Sequence, residues 1–94
     1  MHYYFIGIKG SGMASLATIM YDLHHEVSGS DIEKVIFTQH PLEERGIPIY
    51  SFNAENIKAG MNVIIGNAFS ETHEEVVATR KLEKEGLVKA YRYH

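Results

Sequence analysis

Gly7, Gly10 and Gly12 stand where an apolar run, Tyr3 to Ile8, passes into a stretch with helical periodicity that opens at Ser11. A strand, a glycine-rich turn and a helix in that order make an anion cradle. Glycines let the chain turn sharply and approach a ligand closely. The first amides of the helix have no partner within it and point outward as donors. The helix dipole places partial positive charge at the same point, so a phosphate or diphosphate is the natural occupant. The spacing departs from the dinucleotide fingerprint G-x-G-x-x-G at its second glycine, where Lys9 stands with Gly10 behind it. A side chain there disfavours the usual dinucleotide pose. Lys9 either brings an ammonium toward a phosphate or points to solvent from the turn.

Two further segments carry polar groups suited to a nucleotide. Ser30 and Asp31 end a short second strand roughly twenty positions beyond the glycine turn, where a carboxylate can take ribose hydroxyls. Each is also suited to capping a turn or helix. Gly66-Asn67-Ala68-Phe69-Ser70 closes another apolar run. Asn67 suits a base edge or sugar hydroxyl. Phe69 suits either a stacked ring or the core.

These segments need elements to hold them. The pattern predicts a buried first strand over residues 2–8, almost without alternation, as in a parallel sheet covered on both faces. Met13, Leu16, Ala17, Met20 and Leu23 form one face of a helix over 11–23. A second strand runs from Glu26 toward Ser30-Asp31. The residues between Ile32 and Thr38 read as a covering loop or irregular turn. Pro41 opens a short helix that Gly46 stops. Ile47 to Tyr50 is a third strand, placed at the sheet edge because Pro48 lacks an amide donor. Asn53 to Ile57 is a single turn. Met61 to Ile65 is a fourth strand. A helix over 71–85 follows, with Val77, Ala78 and Leu82 as its apolar side, and Leu87 to Tyr91 is a fifth strand. The expected architecture is an α/β, Rossmann-like, mostly parallel sheet in the order 3-2-1-4-5, with helices on both faces. Ligands bind such sheets beyond the strand ends where the winding reverses. That point brings the three polar segments together.

Composition narrows the classes. The 94 residues make one small domain, residues 1–94. Their formal net charge of -3 argues against nucleic acid and leaves a bound diphosphate to local donors. The absence of cysteine rules out a disulfide frame or a zinc–thiolate site. The six histidines are scattered or adjacent, and neighbours such as His24 and His25 do not share a helix face, so no metal site is expected. No apolar run spans a bilayer and nothing reads as a signal peptide; the cytoplasm is the expected location, with no membrane partner.

Tyr4 to Met13, Val27-Ser28-Gly29-Ser30-Asp31, Ala54-Glu55-Asn56-Ile57 and Gly66-Asn67-Ala68-Phe69 together resemble the Mur ligase family, in the form with lysine inside the glycine loop. The likeness runs along nearly the whole chain. It implies a cytoplasmic ATP-dependent ligase of peptidoglycan and cell-wall biogenesis, with roles in cell shape and division. Its N-terminal Rossmann-like domain binds the UDP part of the substrate, a central domain holds ATP and magnesium, and a C-terminal domain completes the amino-acid site. Gly10-Ser11-Gly12-Met13 favours the branch that adds L-alanine to UDP-N-acetylmuramate over the tripeptide-recycling branch. By this resemblance the UDP-binding residues are Gly7, Lys9, Gly10, Ser11, Gly12, Met13, Ser30, Asp31, Asn67 and Ala68. Many members have glycine at Lys9 and histidine at Phe52, which puts the diphosphate geometry and any polar contact at 52 in doubt. The sequence has no G-x-x-x-x-G-K-[ST] loop for ATP. The chain therefore reads as an N-terminal domain alone, without a cofactor, catalytic residue or ligation activity of its own, partnered by the missing central and C-terminal domains. A different class, a regulatory module binding NAD or another adenine nucleotide, fits the glycine turn and Asp31 but not Lys9 or the Asn67 segment.

Overall fold

A computed structural model describes residues 1–93. Its five strands are β1 (His2–Ile6), β2 (Glu26–Ser30), β3 (Ile49–Tyr50), β4 (Met61–Ile65) and β5 (Lys89–Arg92), and its helices are α1 (Ser11–Asp22), α2 (His40–Glu44) and α3 (Glu74–Lys84). All strand pairs are parallel and the order is β3-β2-β1-β4-β5, as the alternating pattern predicts. β1 sits at the centre, in register with both neighbours, so that Ile6 stands beside Ser30 and Ile65.

The pleat divides the core into two layers. Phe5, Val27 and Ile64 face α1 and α2, where Met13, Ala17 and Leu42 pack on them. Tyr4, Ile6, Val63 and Ile65 face α3, where Val76 closes the layer. Two-sided burial explains why β1 and β4 read as apolar runs broken only by His2 and Asn62.

Several elements are shorter than the sequence pattern suggests. β3 pairs only at Ile49 and Tyr50, since Pro48 spends its carbonyl on the Gly29 amide and has no amide of its own to add. α3 begins at Glu74, not 71, because the His73 ring accepts the Glu75 amide at 3.2 Å and caps the helix there. The apolar face of α3 is also shifted. Val76 is fully buried and Val77 is exposed, so Val77 is not part of the core.

The shift places Glu75 in the interior, fully buried. Its carboxylate accepts from the Ser30 hydroxyl at 2.6 Å, the Asn53 amide at 2.9 Å, the Asn56 side-chain amide at 3.0 Å, and the Tyr4 hydroxyl at 3.1 and 3.2 Å. Burial, reinforced by the neighbouring Glu75 charge, pushes the Tyr4 phenol above its usual range and keeps it a donor. Buried polar groups hold together only when satisfied in this way. Glu75→Gln replaces one acceptor oxygen with an NH2 facing two or three donors. It should cost roughly 1–3 kcal/mol of stability in urea denaturation; an unchanged midpoint at constant slope would contradict this role.

Candidate functional site

Beyond the carboxyl ends of β1, β2 and β4 the chain forms a cleft of about 420 Å³. Its floor is the turn from β1 into α1. Gly7 has φ +86°, which an L side chain rarely adopts. Its amide and that of Ile8 donate to the Ser30 carbonyl at 2.9 and 3.1 Å, so the end of β2 holds the turn. Gly10 precedes α1 without any side-chain cap, and the first helical bond is Ala14 N–H to the Gly10 carbonyl at 2.7 Å. The amides of Ser11, Gly12 and Met13 therefore have no acceptor within the helix and lie at the cleft.

The wall from β4 is the Gly66–Ser70 segment. The Phe69 ring packs directly against Gly7, where an added Cβ would meet Phe69 Cζ at 2.9 Å. Phe69, Phe52 and His73 form an edge-to-face cluster with centroids 4.6–5.6 Å apart. Phe69 thus serves both the core and the cleft wall. Arg92 fastens this wall to β5 by donating to the Phe69 carbonyl at 2.7 Å and to Glu71 at 2.6 Å. Tyr93 closes the other side. Its hydroxyl lies against Gly12, where an added Cβ would stand 2.6 Å from Tyr93 Cζ.

Gly7, Lys9, Gly10, Ser11, Gly12, Met13, Asp31, Asn67 and Ala68 all line this cleft. Ser30 does not. Its side chain shares the α3 face with Ile6 and is spent on Glu75, and only its carbonyl serves the glycine turn. Asp31 is brought to the cleft, but its carboxylate already accepts the Lys9 and Ile32 amides, each at 2.8 Å. The Lys9 ammonium donates to the Ile32 and Lys34 carbonyls at 2.8 and 2.9 Å. Gly66 and Phe69, from the third converging segment, also line it, and Ile36 and Tyr93 are lining residues that the sequence pattern did not single out. Tyr93 directly follows β5, and its place just beyond the carboxyl end of a strand is the signal that could have found it. Among the described residues no group of three or more His, Asp or Glu side chains is placed to hold a metal ion, and no helix is long and apolar enough to cross a membrane.

A five-stranded parallel sheet with a glycine turn and open helix amides at its reversal point defines a Rossmann-like domain. Residues 2–85 match the family described as "Mur ligase family, catalytic domain", and the chain belongs to the Mur ligase family. It is similar in structure to UDP-N-acetylmuramate-alanine ligase from Thermotoga maritima, with TM-score 0.78 and 29% identity over 98% of this chain and 21% of that one. It is also similar to UDP-N-acetylmuramate:L-alanyl-gamma-D-glutamyl-meso-diaminopimelate ligase from Neisseria meningitides, with TM-score 0.75 and 28% identity over 97% of this chain and 28% of that one. The chain thus spans less than a third of the length of either relative.

The clamp on the Asn67 wall has a pH signature. Hydrogen bonds from Arg80, then Arg92, lower the Glu71 carboxyl from 4.5 to about 2. A folded-state value below the unfolded one stabilises the native state above the unfolded value, and that contribution is lost as pH falls through the folded value. A carboxyl-detected NMR titration should give Glu71 a midpoint near 2, and Arg80→Gln should move it upward. A wild-type midpoint in the ordinary glutamate range would show that the clamp does not form in solution.

Proposed function

We propose that this cleft binds the UDP moiety of UDP-N-acetylmuramate. The chain then acts as the N-terminal domain of the ATP-dependent ligase that adds L-alanine during peptidoglycan precursor synthesis. One observation carries the reading: open α1 amides converge with Asp31 and Asn67 at the reversal point of a Mur ligase sheet. In this reading the Ser11, Gly12 and Met13 amides hold the diphosphate. Gly7 and Gly10 shape the turn, Lys9 borders it, Asp31 lies toward the ribose, and Asn67 and Ala68 line the nucleoside side. The spare lone pairs of the Asp31 oxygens remain available to a sugar hydroxyl.

The two structural relatives are almost equally similar to this chain. The alanine-adding branch is preferred on the wording Gly10-Ser11-Gly12-Met13, and the tripeptide-recycling branch is the second reading. ATP and magnesium, which the ligation needs, are assigned to other parts of a longer protein. This sequence has no phosphate loop for ATP, and no step of the reaction is derived from its residues. A cytoplasmic location is part of the same proposal.

A two-dimensional amide NMR titration tests the ligand. UDP-N-acetylmuramate should give saturable shifts at Gly10, Ser11, Gly12, Asp31 and Asn67, and NAD should give none. Shifts with NAD alone would replace this reading with an adenine-nucleotide module. Gly12→Ala forces Tyr93 aside and puts a methyl at the cradle. It should weaken UDP-sugar binding by at least about tenfold, near 1.4 kcal/mol, by calorimetry.

A further inference from the structure

The segment from Ile32 to Thr38 forms the outer wall of the cleft with little regular structure of its own. It turns Ile36 into the cleft while Val35 and Phe37 stand 72% and 81% exposed. Segments with few buried contacts open easily unless something ties them down. Here Lys9 commits all of its hydrogen-bonding groups to that segment and its root. Its amide donates to Asp31 at 2.8 Å, its carbonyl accepts the Thr38 hydroxyl at 2.5 Å, and its ammonium donates to the Ile32 and Lys34 carbonyls.

The placement of this ammonium is unlike that of a phosphate ligand. Lys9 is only 6% exposed. Turning it to a phosphate would forfeit two hydrogen bonds and release the wall. On its other side lies a hollow of about 370 Å³ whose lining includes Asp31, Glu33 and Glu43. Those carboxylates favour a cation and disfavour an anion beside it.

We infer that Lys9 is a positioning residue. It straps the 32–38 wall to the glycine turn, so that Ile36 stands at a set distance from the diphosphate cradle, and it does not itself ligate phosphate. Its effect on binding rests on the UDP-sugar reading; the strap does not.

Amide hydrogen exchange on the unliganded chain, compared for wild type, Lys9→Met and Thr38→Val, tests the strap. Exchange over Ile32–Thr38 should quicken at least tenfold in Lys9→Met, and in the same direction in Thr38→Val, while β1 and β4 stay protected. UDP-N-acetylmuramate should bind at least threefold more weakly to Thr38→Val, which alters no charge. Wall exchange at the wild-type rate in Lys9→Met would overturn the inference, and weakened binding alongside it would mark Lys9 as a phosphate ligand. Should Lys9→Met fail to fold, Thr38→Val decides by the same exchange criterion. Failure of wild type to bind any uridine nucleotide would sink the proposed function and leave the exchange result standing.

Discussion

Among the described residues no cation pairs with the buried Glu75, and three elements are arranged to satisfy it. α3 delivers the carboxylate, and β1, β2 and the turn before β4 answer with the hydroxyls of Tyr4 and Ser30, the Asn53 amide and the Asn56 side chain. Burying such a group is tolerable only when its acceptors are filled. The donors therefore constrain one another as well as Glu75. Ser30 passes the constraint across the sheet. Its hydroxyl is held on the α3 side, and its carbonyl receives the Gly7 and Ile8 amides at the cleft. The glycine turn is set by a carboxylate on the opposite face of the sheet.

The cleft itself is made largely of backbone. Gly7 and Gly12 leave no room for side chains because Phe69 and Tyr93 occupy the space a Cβ would need. That closeness exposes the α1 amides to a ligand while two aromatic rings flank the turn. The third wall follows another logic. Irregular in backbone, with Val35 and Phe37 exposed beside Glu33 and Lys34, the Ile32–Thr38 segment is held by polar ties to Lys9 and Asp31. One cleft thus joins a floor anchored in the core to a wall held by polar ties.

The two similar ligases share UDP-N-acetylmuramate in their names and differ in the second component named, alanine in one and L-alanyl-gamma-D-glutamyl-meso-diaminopimelate in the other. A shared sheet and glycine turn suit a common diphosphate-bearing substrate part. This chain is almost equally similar to both, so structural similarity within this domain does not separate the two branches.

The order of elements, the parallel sheet and the position of the cleft were legible in the sequence because each rests on local pattern. Nearly continuous apolar runs marked β1 and β4, the spacing of Met13, Leu16, Ala17 and Met20 marked α1, and the glycines marked the reversal point. Val76 and Val77 stand side by side in a helix with a short apolar stripe, so sequence could not say which was inside. Glu75 in the first turn of a charged helix reads as a solvated residue, yet it is the centre of the buried network. Sequence by itself determined which segments meet. Only the tertiary structure decided which of their groups are already spent: the Ser30 hydroxyl on Glu75, the Asp31 carboxylate on two amides, and the Lys9 ammonium on two carbonyls. Those partners lie 22 to 45 positions apart along the chain for Lys9–Asp31 and Ser30–Glu75, and a hydrogen bond at that separation exists only once the sheet has brought its ends together.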